Sequence, residues 1–168
     1  MTRFFLDCEW ADKAGRELVS LALISEDDQH RFYSEVDPLP KHPTDWVNAV
    51  VYPLLEHGFA ARRQPEFTTE LRRFLVGFDN PWVLFDSHYD GALLHYALNG
   101  FNLPDTVAAK LGPRPNPVMH LIQRDDLVRH IERYFQIHIA EARRRHHAGV
   151  DAEALRWAYL QAFIEPKG

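Results

Sequence analysis

The apolar positions of the chain alternate before they turn helical. Phe4-Phe5-Leu6-Asp7-Cys8-Glu9-Trp10 is rich in aromatic and aliphatic residues and predicts a strand. Asp12 to Arg16 is a polar turn, and Glu17 to Ser25 returns as a second strand of Leu, Val and Ile. After Glu26-Asp27-Asp28-Gln29, a third strand is expected from His30 to Val36, with Phe32, Ser34 and Val36 on one face. Three strands joined by short turns make an antiparallel meander. Pro38, Pro40 and Pro43 then postpone regular structure to Thr44 or Asp45, either of which can cap a helix carrying Trp46, Val47, Val50 and Val51, ended by Pro53.

Beyond a loop through Gly58 and Arg62-Arg63, the positions Phe67, Leu71, Phe74, Leu75 and Phe78 recur at helical spacing. Asp79-Asn80-Pro81 breaks that helix, and Trp82-Val83-Leu84-Phe85 is a continuously apolar run that suits a buried strand. A helix from about Asp90 to Leu98 stops at Asn99-Gly100, and Phe101 to Pro117 is expected to be an extended connection. Val118 to Ile122 is either a strand or a helix start. Asp125 to about Ile139 is a helix with Leu127, Val128, Ile131 and Phe135 inward, and a last helix runs from Val150 or Asp151 to Phe163. Strands that pair first among themselves and then alternate with helices predict an α/β fold, a mixed sheet covered by helices.

The acids break this pattern. Asp7 and Glu9 project from the same side of a strand that ought to be apolar, about 7 Å apart, while Cys8 points to the opposite face as packing. In the helix after Phe85 the stripe of Leu93, Leu94, Ala97 and Leu98 leads back to Asp90. In the last helix the stripe of Leu155, Ala158, Tyr159, Ala162 and Phe163 leads back to Asp151. Either aspartate alone is explained by helix capping. Four inward acids from three elements are not, because unpaired buried carboxylates are very costly without a cation or basic partners. Oxygen ligands without cysteine suit Mg²⁺ or Mn²⁺. Arg145-His146-His147-Ala148-Gly149-Val150-Asp151 also places an imidazole five residues ahead of a candidate ligand, suited to take a proton from an attacking water.

In this order the residues resemble the DEDDh group of DnaQ-like 3′ to 5′ exonucleases, which includes RNase T and oligoribonuclease. The three motifs of that group correspond to Asp7-Cys8-Glu9, to Val83 through Asp90, and to His146 through Ala152. Asp45-Trp46-Val47, Val51-Tyr52-Pro53-Leu54-Leu55 and Tyr89-Asp90 are similar to the compact RNase AS type of exoribonuclease. The resemblance implies an RNase H-like sheet in one exonuclease domain over residues 1–168. It also implies two divalent cations, with Asp7 bridging both, Glu9 and Asp151 completing one site and Asp90 holding the second ion. His146 would be the general base, the substrate the 3′ end of single-stranded RNA, and the assembly a homodimer. Asp86 is a rival to Asp90, and His147 to His146; Asp90 is preferred for its place on the helical stripe and His146 for the family spacing.

Trp10, Tyr89 and Phe59 are candidates to stack on terminal bases, His147 to contact substrate, and Arg62, Arg63 and Arg143 to Arg145 to meet phosphates. Rival readings are a DNA exonuclease, a non-catalytic nucleic-acid or protein-binding module on the same fold, and a zinc site of His138, His146 and His147. The 168 residues include one cysteine and carry a net charge of −5, which excludes a disulfide framework and disfavours coating of nucleic acid by bulk charge. Without a secretion signal or an apolar run long enough to span a bilayer, a cytoplasmic protein with no membrane partner is expected.

Overall fold

The structure, a computed structural model, describes residues 1–164, so the last four residues of the expected 1–168 domain lie outside the described residues. Six strands form one mixed sheet in the order β4-β3-β2-β1-β5-β6. The meander is β1 (Arg3–Trp10), β2 (Leu18–Ser25) and β3 (Arg31–Val36), paired antiparallel. β5 (Trp82–Phe85) joins β1 in parallel, and β6 (Val118–Leu121) joins β5 in parallel, so the run from Val118 resolves as a strand. A two-residue strand, β4 (Ala61–Arg62), extends β3 in parallel where the sequence predicts only loop. Such a mixed sheet flanked by helices is compatible with the RNase H-like fold.

Alternation along β1 sorts the two faces. Phe4, Leu6 and Cys8 meet Phe67, Leu71 and Leu75 of α1 (Gln64–Val76) and Leu93, Leu94 and Ala97 of α2 (His88–Leu98). Phe5 and Leu84 face the other way, onto Leu127 of α4 (Asp125–Ile137) and Leu155 and Ala158 of α6 (Ala148–Tyr159). β2 is buried at all eight positions, as a central strand covered on both faces must be. Ala148 and Ala152 are the small residues that let α6 lie close on Ala22 and Ile24 of that strand.

Three departures from expectation have local causes. The connection from Phe101 to Pro117 contains a short helix, α3 (Asp105–Ala108), started after Pro104. The helix expected to reach Ile139 breaks at His138, whose Nδ1 lies 2.9 Å from the Tyr134 carbonyl oxygen, and resumes as α5 (Ile139–Ala142). Val128, expected inward, is 60% exposed. The buried stripe of α4 is Leu127, Ile131, Tyr134 and Phe135, and Val128 stands about 100° around the helix from Leu127. The segment with Trp46 and Val47 is helical, with a π-type turn over Val47–Val51; Val47 and Val51 are buried, whereas Trp46 is exposed.

Arg72 ties α1 to the chain beyond α2. Buried, it donates to the carbonyls of Leu98, Ala108 and Gly112 at 3.0, 2.8 and 2.9 Å. Among the described residues, no helix is long and apolar enough to cross a membrane. Replacing Arg72 by Met removes three donors at once, leaving the Ala108 carbonyl only its bond from the Leu111 N–H, and we expect a loss of roughly 3 kcal/mol in urea unfolding. An unchanged midpoint would mean that water replaces the guanidinium at no cost.

Candidate active site

The acids meet at the carboxyl ends of β1 and β5. Pairing of β1 with β5 runs from Arg3 opposite Trp82 to Phe5 opposite Leu84, and beyond it β1 continues without a neighbour on that side. The Cys8 N–H left free there donates to Asp90 Oδ1 at 3.2 Å. Asp90 is only 1% exposed, the inward position that its helical phase predicts. It is not the cap of α2: Ser87 is, accepting from the Tyr89 N–H at 3.3 Å.

α6 is built the same way. Its cap is His147, whose Nδ1 accepts from the Gly149 N–H at 3.1 Å, and Asp151 is the fourth helical residue. Asp151 Oδ2 reaches back to accept the His146 N–H at 3.1 Å. The capping explanation therefore accounts for one oxygen of this carboxylate. The other, Oδ1, is sealed from solvent without a hydrogen-bond partner, and so is Asp7 Oδ2.

Asp7, Glu9, Asp90, Asp151 and His146 all line one cavity of about 430 Å³, together with Asp86, Trp10 and Ser87. Burial first, and then the charges of Asp90, Asp151, Glu9 and Asp86, hold the Asp7 carboxyl well above the usual carboxylate range. Burial and the charges of Asp151 and Asp90 push Glu9 up to about 9. Burial also raises Asp90, against the Cys8 hydrogen bond, and raises Asp151 to about 7, against the His146 N–H and the charge of Arg145. His146 moves the other way: burial and the neighbouring Arg145 charge lower its pKa, keeping the imidazole neutral. Ligand atoms of Glu9, His146 and Asp151 lie within 4.8 Å of one another.

The other candidates divide. Trp10 and Tyr89 pack on each other, ring centroids 5.2 Å apart, and Trp10 forms part of the cavity wall. Asp86 directly follows β5 at the rim of the cavity, exposed, so both aspartates of the second motif border it. His147, a candidate substrate contact, does not reach this cavity. It is 4% exposed and stacked on Tyr33, and its Nε2 lies 3.3 Å from Glu56 Oε1, off the line of a hydrogen bond. The cause is the backbone: His146 has φ of 76°, so adjacent histidines leave the chain in divergent directions.

The zinc site of His138, His146 and His147 does not form, because His138 packs on Tyr134 and Trp157 while His146 packs edge-on against Trp46. Phe59 is fully exposed and outside the cavity. The arginines are also elsewhere: Arg62 donates to Ser34 Oγ, Arg144 pairs with Glu56, and Arg145 pairs with Glu132 over the Phe135 ring. Lys13, within the polar turn after β1, borders the cavity, and so do Thr44 and Trp46. Lys13 stands six residues after Asp7, a proximity the sequence displays without marking its purpose.

Neither a scan against protein-family models nor a search of curated proteins finds a match to this chain. What the arrangement offers chemically is a concentration of negative charge with two orphaned carboxylate oxygens, beside a neutral imidazole. That donor set fits hard divalent cations.

A raised carboxylate pKa means that the folded state holds more protons than the unfolded one at neutral pH, so stability falls as pH rises. The metal-free protein is expected to lose stability from about pH 4, where unfolded carboxylates titrate, through the folded values of about 7 for Asp151 and about 9 for Glu9. Mg²⁺ or Mn²⁺ should raise the melting temperature most at the alkaline end. Asp7→Asn should stabilise the metal-free protein and weaken that metal effect; a destabilised variant with the metal effect intact would contradict the repulsion described here.

Proposed function

We propose that the protein is a metal-dependent 3′ to 5′ exonuclease of the DEDDh kind that removes nucleoside 5′-monophosphates from single-stranded RNA. The observation that carries this reading is the convergence of Asp7, Glu9, Asp90 and Asp151, from β1, α2 and α6, on one cavity that His146 also lines. The orphaned Asp7 Oδ2 and Asp151 Oδ1 fit the proposed cofactors, two Mg²⁺ or Mn²⁺ ions. When bound, such ions supply charge stabilisation for an in-line displacement at phosphorus.

The chain's own residues do the rest. The four carboxylates hold the ions. His146, neutral and held by its backbone bond to Asp151, accepts the proton of the attacking water as the new oxygen–phosphorus bond forms and the bond to the leaving 3′ oxygen breaks. The paired rings of Trp10 and Tyr89 offer an apolar wall for a terminal base, and Lys13 a cation for a phosphate. The single cysteine, buried and free, suits a reducing cytoplasm, and the homodimer is carried by the family resemblance alone.

With a 5′-labelled single-stranded RNA and Mg²⁺ or Mn²⁺, stepwise shortening from the 3′ end is expected. It should vanish in Asp7→Ala and fall roughly 10² to 10⁴-fold in His146→Ala. Full activity in Asp7→Ala would sink the proposal, and a matched DNA oligomer degraded faster than RNA would change its substrate. Comparing Asp90→Asn with Asp86→Asn tests the second motif: the first should inactivate and the second should be mild. The reverse order would transfer the ligand role to Asp86.

A further inference from the structure

Within the cavity, Glu9, His146 and Asp151 are a chemically different set from the carboxylates as a group. Their ligand atoms lie within 4.8 Å of one another, and one of the three donors is nitrogen. Glu9 is 8% exposed, lines the cavity, and its carboxylate takes no hydrogen bond from the described residues. Asp151 keeps a sealed oxygen, Oδ1, without a partner.

We propose that Glu9, His146 and Asp151 form a site for a borderline transition-metal ion, Zn²⁺ foremost, whose binding withdraws His146 from proton transfer. The metal site stands on these three side chains alone; only its consequence for catalysis rests on the exonuclease reading. Mg²⁺ demands oxygen ligands in octahedral array and keeps several waters, so the imidazole adds nothing to its binding. Zn²⁺ is commonly held by three protein ligands drawn from histidine and carboxylate, with a fourth position open. Donors around a tetrahedral Zn²⁺ stand roughly 3.4 Å apart, so the three groups, now within 4.8 Å of one another, must close by up to roughly 1.4 Å.

Two contacts fix the imidazole relative to the carboxylate. The His146 N–H is bonded to Asp151 Oδ2 at 3.1 Å, which couples the loop carrying the imidazole to the helix carrying the carboxylate. The edge-on ring of Trp46, 4.8 Å from the imidazole between centroids, limits where His146 can swing. A ring nitrogen that binds Zn²⁺ has no lone pair left for a proton. Hard cations and Zn²⁺ would thus compete over shared carboxylates with opposite outcomes for hydrolysis.

The test is calorimetric titration of the metal-free protein with Zn²⁺ in excess Mg²⁺, with Co²⁺ as a visible-absorption probe of the same site. The wild type should bind one Zn²⁺ through the Mg²⁺ and give the intense bands of low-coordinate Co²⁺. His146→Asn should weaken Zn²⁺ by about 100-fold and bleach those bands. The rise in melting temperature with Mg²⁺ should persist in that variant, which shows that it folds. Asp151→Asn should also lose Zn²⁺, whereas Asp90→Asn should retain it. Equal Zn²⁺ affinity in wild type and His146→Asn overturns the proposal, as does the absence of Zn²⁺ binding against Mg²⁺. Failure to degrade RNA with Mg²⁺ would instead remove the exonuclease reading and leave the metal site in place.

Discussion

Like charges held together in a confined space govern this molecule. Asp7, Glu9, Asp90 and Asp151 share one cavity with Asp86, and each of the four is held above its usual range by burial first and then by the charge of at least one acid of this group. Such crowding survives only on a frame that cannot relax it away. The frame is the centre of the sheet: β1 is flanked by β2 and β5, and β2 is buried along its whole length. The apolar packing of Phe4, Leu6 and Leu23 on one face, and of Phe5 and Leu84 on the other, supplies the stability against which the repulsion acts.

Much of this is written in the local pattern of residues. The phases of Leu93, Leu94 and Ala97 point to Asp90, and those of Leu155 and Ala158 point to Asp151, because a helix that buries one stripe fixes the direction of every residue on it. Alternation on β1 likewise fixes Asp7 and Glu9. Other features depend on which neighbours the fold supplies. β4 is only two residues long and forms because the chain returns alongside β3, which Ala61 and Arg62 do not encode. Val128 is apolar on the margin of a stripe and is left largely in solvent. Lys13 and Trp46 reach the cavity through tertiary placement of a turn and a short helix, and neither residue type carries a local signal for it.

The adjacent histidines show how little sequence proximity says about role. One residue with a left-handed backbone, His146, separates a cavity-lining imidazole from a buried capping one. His147 then serves the fold: it starts α6 and stacks on Tyr33, whose hydroxyl donates to the buried Glu35 at 2.6 Å. Glu35 in turn accepts the Glu56 and His57 N–H groups at 2.6 and 2.9 Å, so the segment before β4 and the start of α6 are joined through one ring stack and these hydrogen bonds.

The turn after β1 also bears on the cavity. Gly15 has φ of 66°, and a Cβ there would come within 2.3 Å of the Tyr89 ring. Tyr89 precedes Asp90 on α2 and lies against Trp10, so the absent side chain at Gly15 sets how far the aromatic wall can lean outward. Trp10 in the cavity wall is therefore backed, through Tyr89, by a residue that does not itself line the cavity. A larger residue at that position would act as a wedge against the Tyr89 ring and, through it, against Trp10.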